Sequence, residues 1–152
     1  MDNVRIRTAS EKDIPILLDL LYDLGRPKPH KDSDIGSYRK LTKKYILDPD
    51  KEMLVAELDN MKIVGMISLM YLSRLNHDTL EMYIPELIVL EKYQKQGIGK
   101  KLLDSCVDIG MKKKCHRIRL ESGNHRKESH QFYMHLGFEQ SSLSFTKNLF
   151  SD

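Results

Sequence analysis

Residues 87–103 read Leu87-Ile88-Val89-Leu90-Glu91-Lys92-Tyr93-Gln94-Lys95-Gln96-Gly97-Ile98-Gly99-Lys100-Lys101-Leu102-Leu103. Four apolar residues run into a polar turn, then two glycines, then an amphipathic pattern, which is a strand feeding a helix. Glycine lets backbone N–H groups approach a ligand with no Cβ in the way. The first amides of a helix lack intrahelical acceptors and sit at the positive end of its dipole. Together they form an anion site suited to a phosphate or pyrophosphate. Two phosphate loops are excluded on residues. A P-loop needs glycine where Gln94 stands and Ser or Thr where Lys101 stands, and a dinucleotide fingerprint needs glycine at Leu102. A plain strand–helix turn is the alternative reading of Gly97 and Gly99.

The surrounding chain alternates strands and helices. Val4-Arg5-Ile6-Arg7 has the period of a half-buried strand. Ile14, Leu17, Leu18, Leu21 and Leu24 make one helical stripe, with Pro15 in the first turn and Gly25 at the end. Residues 25–31 cannot continue a helix. A second helix is predicted over 33–47, then strands over 53–58 and 63–72 joined by a turn at Asp59-Asn60. A third strand covers 79–90. Pro85 lies inside it and has no N–H to give a ladder, so it marks a bulge, an edge or a break. A helix over 97–113, a strand over 117–121 and a helix over 126–136 ended by Gly137 follow, with last strands over 138–140 and 144–149. No repeat or linker interrupts the pattern, so the chain reads as one α/β domain over 1–152.

Composition narrows the class. The 152 residues are 40% hydrophobic and 31% charged, and no apolar run approaches the ~20 residues of a membrane span. The first residues carry no apolar block of a secretory signal. Cys106 and Cys115, nine residues apart, fit neither a disulfide framework nor a metal site, so a reduced, cytoplasmic protein is expected. His116, His125, His130 and His135 have no carboxylate or cysteine at ligand spacing, and no metal is expected. Residues 92–127 hold eleven Lys/Arg against three acids, a local charge of +8 in a chain of +3. This points to an anionic partner or to a solvated helix face. A nucleic-acid role is disfavoured because no recognition motif or interleaved aromatics accompany the charge.

The pattern Gln94-Lys95-Gln96-Gly97-Ile98-Gly99 after Leu87-x-Val89 resembles the acetyl-CoA motif of the GNAT (general-control-type N-acetyltransferase) family. Phe132-Tyr133-Met134-His135-Leu136-Gly137-Phe138 resembles the Phe-Tyr-x-x-x-Gly-Phe that closes the family's last helix, and Arg7-x-Ala9 with Asp13 resembles its start. The resemblance implies a central mixed, mostly antiparallel sheet of six or seven strands with about four helices. It implies an acetyl-CoA-dependent N-acetyltransferase acting on a small-molecule or peptide amine by direct attack in a ternary complex. A non-catalytic acyl-CoA-binding module is the alternative.

The resemblance also distributes roles. The pantetheine arm lies beside Leu87, Ile88 and Val89, and the pyrophosphate on Gln94, Lys95, Gln96, Gly97, Ile98, Gly99 and Lys100. Further cofactor contacts fall on Asn124, Arg126 and Ser129, although relatives carry Asn where this chain has Arg126. Tyr133 holds the general-acid position, against a plain core tyrosine. Glu86 is the candidate base, with Glu81 or water as alternatives. Pairing through the C-terminal strands implies a homodimer. For the acceptor, Arg26, Lys28 and Lys31 favour anionic character, whereas Asp32, Asp34 and Asp48 favour a polyamine or aminoglycoside.

Overall fold

The computed structural model describes residues 3–28 and 32–150, which fall into two compact units dividing between Leu120 and Glu121. The sequence offered no linker there, and none exists: the division follows the end of the sheet. Residues 29–31, with Lys31 of the acceptor loop, lie outside the described set.

The first unit holds six strands and three helices. They are β1 (Val4–Thr8), α1 (Ile14–Asp23), α2 (Asp32–Leu47), β2 (Lys51–Leu58), β3 (Ile63–Ser73), β4 (Leu80–Ile84), β5 (Leu87–Val89), α3 (Ile98–Lys112) and β6 (Arg117–Leu120). The sheet order is β1-β2-β3-β4-β6, with β5 also on β3. All pairs are antiparallel except β4 with β6, which is parallel. β2 and β3 are buried on both faces, which explains their near-continuous apolar runs. On one face Met53, Val55 and Met66 pack with Leu17 and Leu20 of α1. α3 packs against β1, β2 and β3, burying Ile98, Leu102, Leu103 and Cys106. Full burial of each such side chain contributes roughly 1.5–3 kcal/mol.

The strand expected over 79–90 is two strands. Before Pro85, β4 pairs with β3 on one side and β6 on the other; after it, β5 keeps only β3. Glu81 fastens the closed half. Its side chain is fully buried and accepts from Arg117 Nε at 2.6 Å and Arg119 Nε at 2.9 Å, while Arg74 approaches to 4.0 Å. Burial pushes this carboxyl up, but the hydrogen bonds from Arg119 and Arg117 outweigh burial and hold it below the usual carboxylate range.

The second unit contains α4 (Lys127–His135) and no strand among the described residues. The sheet therefore has six strands rather than seven, and the strands expected over 138–140 and 144–149 do not form. Alternation makes a strand only when a ladder partner satisfies its backbone. Here Leu143, Phe145, Leu149 and Phe150 remain exposed.

At the start of the chain, Arg7 bonds Asp13 Oδ2 at 2.8 Å and Glu57 Oε2 at 2.7 Å, and Arg5 adds Glu57 Oε1 at 2.7 Å. Asp13 also accepts the Ser10 amide at 2.8 Å, capping the turn into α1. Hydrogen bonds from Arg7 hold Asp13 below the usual range, and those from Arg7 and then Arg5 do the same for Glu57. A depressed folded-state pKa gives stability that is present above the unfolded values near 4 and lost as pH falls through the folded ones. Arg7→Met leaves the buried Asp13 carboxylate without its arginine and Glu57 with Arg5 alone. Its thermal midpoint should fall by at least about 4 °C at pH 7, and the gap to wild type should narrow below pH ~4. A pH-independent gap in calorimetry would show that the cluster does not titrate with folding.

Candidate active site

The open side of β5 is built by register. Glu86 gives its carbonyl to the Ser68 amide at 3.0 Å, and the Leu90 amide donates to the Val64 carbonyl at 2.9 Å. Ile88 pairs with Met66 between them. In an antiparallel ladder, alternate residues face alternate sides. Ile88 therefore spends its backbone groups on β3, while those of Leu87 and Val89 point away from the sheet. The Val89 carbonyl accepts from Gln94 Nε2 at 2.8 Å, so the side chain of Gln94 braces the strand end. What remains on this edge is the Leu87 N–H and C=O and the Val89 N–H, a short donor–acceptor strip of the kind that an amide-bearing arm extends as an added strand.

Gly65 permits this strand to lie close. A Cβ there would stand 3.0 Å from the Ile88 carbonyl oxygen and 3.5 Å from Leu102.

The loop into α3 is shaped by left-handed residues. Lys95 has φ 60° and Gly97 φ 84°, so the glycine is required by conformation and not by space. Lys101 is the first α3 amide to find an intrahelical acceptor, the Gly97 carbonyl at 3.0 Å. The amides of Ile98, Gly99 and Lys100 therefore point out of the helix start. Gln96 Nε2 donates to the Lys92 carbonyl at 3.2 Å, and Lys100 pairs with Asp104 at 2.7 Å. The backbone, with Lys95 and Lys101 exposed beside it, is what this loop offers a pyrophosphate.

Glu86 sits where the sheet opens. Ser68 Oγ donates to Glu86 Oε2 in a short bond and accepts the Glu86 amide at 3.1 Å. Arg26 Nη2 donates to Glu86 Oε1 at 3.0 Å and to the Pro85 carbonyl at 3.4 Å. Tyr45 lies close by, donating to the Leu69 carbonyl at 3.0 Å, and burial pushes its phenol up. Glu81 is withdrawn from this site by its arginines, which leaves Glu86 as the carboxylate at the opening. Sequence reasoning missed Ser68 and Tyr45. The available signal was that Ser68 is a fully buried polar residue in the apolar run of β3.

In the second unit, α4 ends in a glycine cap. Gly137 is left-handed with φ 92°; its amide reaches the Met134 carbonyl at 3.1 Å, and the Phe138 amide reaches that of Tyr133 at 3.0 Å. Tyr133 also meets the Phe138 ring edge-on at 5.8 Å and the Phe132 ring at 5.3 Å. The spacing Tyr-x-x-x-Gly-Phe is thus the geometry of a helix stop that fixes the tyrosine ring. Burial pushes the Tyr133 phenol up, with Arg126 opposing, so it stays protonated at neutral pH. Among the described residues of this unit its hydroxyl has no hydrogen-bond partner. His130 Nε2 bonds the Gly123 carbonyl at 2.8 Å, which ties down the loop carrying Asn124 and Arg126, and Ser129 lies in the first turn of α4. Among the described residues no group of three or more His, Cys, Asp or Glu is placed to hold a metal ion.

The fold and this site define an acyl-CoA-dependent acetyltransferase, and comparison with known proteins agrees. Residues 17–138 match the model of the Acetyltransferase (GNAT) family, to which this chain belongs. It is 30% identical over 144 residues, covering 95% of this chain and 90% of the relative, to an aminoalkylphosphonate N-acetyltransferase of Salmonella typhimurium. A structure described as a transcriptional regulator from Bacillus halodurans superposes with a TM-score of 0.88 at 26% identity, covering 97% of this chain and all of that one. Aminoglycoside N-acetyltransferase AAC(6')-Iy, solved with CoA, shares the fold with a TM-score of 0.83 at 15% identity, covering 98% and 97%. The chain is an acetyl-CoA-dependent N-acetyltransferase acting on an amine.

Gly99→Val puts a branched side chain among the first-turn amides of α3, and Gly97→Val forces a left-handed β-branched residue, strained by about 1–2 kcal/mol. Either variant should stay folded and lose acetyl-CoA affinity by at least roughly tenfold, about 1.4 kcal/mol. Calorimetry showing wild-type affinity in folded Gly99→Val would remove the loop from the cofactor site.

Proposed function

We propose that this enzyme acetylates a small primary amine that also carries an anionic group, using Glu86 as base and Tyr133 as acid within one catalytic domain spanning 1–152. The observation that carries the reading is Glu86, fixed by Ser68 at the mouth of the open β5 edge with the Arg26 guanidinium against it. The Salmonella relative's printed acceptor, an aminoalkylphosphonate, pairs an amine with an anion and supports the same class. Of the acids that favoured a polycation, Asp48 is otherwise engaged: it pairs with Lys51 at 3.6 Å and accepts the Asp50 amide at 2.9 Å. The match over 17–138 crosses the division between the two units, which supports their acting as one domain.

Acetyl-CoA supplies the acetyl group as a thioester. Leu87 and Val89 hold the pantetheine arm by backbone bonds, and the amides of residues 95–100 hold the pyrophosphate, with Asn124, Arg126 and Ser129 as further contacts. Glu86 accepts the amine's proton, directly or through water, as the new N–C bond forms. Tyr133 donates its O–H to the sulfur as the C–S bond breaks and negative charge develops there. A phenol near pKa 10 or above is a weaker acid than a thiol near 8.5, so Tyr133 stays protonated to make this bond; full transfer to a free thiolate is uphill, and CoA leaves as a hydrogen-bonded thiolate that solvent protonates.

The same proposal includes a homodimer and a cytoplasmic location. Exposed Leu143, Phe145, Leu149 and Phe150 support the first, since apolar side chains clustered along one segment mark association surfaces. Two free thiols support the second. Light scattering at micromolar concentration should give about twice the 17.8 kDa of one chain; a monomer alone would overturn the dimer.

Tyr133→Phe keeps the ring contacts and removes the hydroxyl. Its kcat should fall by roughly 10² or more, with acetyl-CoA affinity little changed. A folded variant with wild-type kcat on its best amine would leave Tyr133 a packing residue only.

A further inference from the structure

Arg26 is positioned by a device separate from the cofactor loop. α1 ends at Gly25, left-handed with φ 98°. The Gly25 amide bonds the Tyr22 carbonyl at 3.0 Å and the Arg26 amide bonds that of Leu21 at 3.0 Å, which is a complete glycine cap. The cap turns the chain so that Arg26, the residue after it, reaches across to Pro85 and Glu86, about sixty positions later.

Only Nη2 of this guanidinium is engaged. It serves both Glu86 Oε1 and the Pro85 carbonyl, and among the described residues Nε and Nη1 have no acceptor. A guanidinium with one corner on a carboxylate and two nitrogens free retains the planar fork that suits a phosphonate or carboxylate. The Arg26 side chain is 51% exposed and that of Glu86 18%. Ion pairs this exposed are weak, so an arriving oxyanion competes for the guanidinium on favourable terms. Ser68 holds Glu86 by its amide and by Oε2, so the carboxylate stays in place when Arg26 turns from it.

We infer that Arg26 reads the anionic group of the acceptor and, until that group arrives, latches Glu86. This rests on the acceptor class proposed above and names the residue that selects it. The latch is exchanged without covalent change: the guanidinium trades the carboxylate of Glu86 for the anion of the acceptor. Glu86 Oε1 is then free to face the acceptor's amine.

The test is CoA release with two acceptors, 2-aminoethylphosphonate and its neutral diethyl ester, using wild type, Arg26→Gln and Arg26→Lys. Wild type should prefer the phosphonate in kcat/KM. Arg26→Gln should cut that preference at least tenfold, chiefly through the KM of the phosphonate, and Arg26→Lys, which keeps charge without the fork, should lie between. Acetyl-CoA affinity, measured by calorimetry on the same samples, should be unchanged in both variants. A preference that persists in Arg26→Gln, or a loss equal for both acceptors, overturns the role of Arg26 and leaves the acceptor class standing. A wild type that shows no preference for the phosphonate overturns the acceptor class and this inference with it.

Discussion

A proline without an N–H, placed between two strands that would otherwise be one, governs this molecule. Before Pro85 the sheet is closed: β4 lies between β3 and β6, and a buried carboxylate holding two arginines fastens β4 to β6. After Pro85 the ladder continues on one side alone. The residue that follows the interruption is Glu86, and the next two outward-facing backbone positions are Leu87 and Val89. The carboxylate proposed as base and the strip proposed for the thioester arm are therefore consequences of a single break. Ser68, opposite Glu86 in register, keeps the break from loosening the carboxylate.

Two helices, α1 and α4, end in the same way, and each ending positions a side chain to which a role in the chemistry is proposed. At Gly25 the cap aims the residue beyond it, Arg26. At Gly137 the cap packs Phe138 on the ring of Tyr133, two residues before the last residue of the helix. Side chains here are placed by how helices terminate as much as by how they run. That is economical, because a left-handed glycine fixes direction within one residue.

Much of this was legible in the sequence, for local reasons. Pro85 announced a break, Gly97 and Gly99 an anion-binding turn from strand to helix, and Gly25 and Gly137 helix ends. What escaped depends on residues far apart in the chain. Nothing in the 63–72 segment says that Ser68 faces Glu86, since that follows from register. Glu81 and Glu86 look alike in sequence, yet one is sealed under arginines and the other stands at an opening. Ile88 sits between Leu87 and Val89 in the motif but turns its backbone to β3. The segment after Phe138 misled for the converse reason: it has the alternation of a strand, but a strand is a relation between two segments, and one of them was not in view.

The free edge of β5 also bears on how the protein stays separate from its neighbours. Unpaired strand edges recruit other strands, and long flat ones lead to aggregation. This one spans three residues, begins beside a proline that stops pairing, and ends where the Gln94 side chain occupies the Val89 carbonyl. It is too short to template a second chain, yet long enough to hold a ligand that brings its own amides. An edge of this length suits the small-molecule arm proposed for it and is denied to proteins by the same shortness.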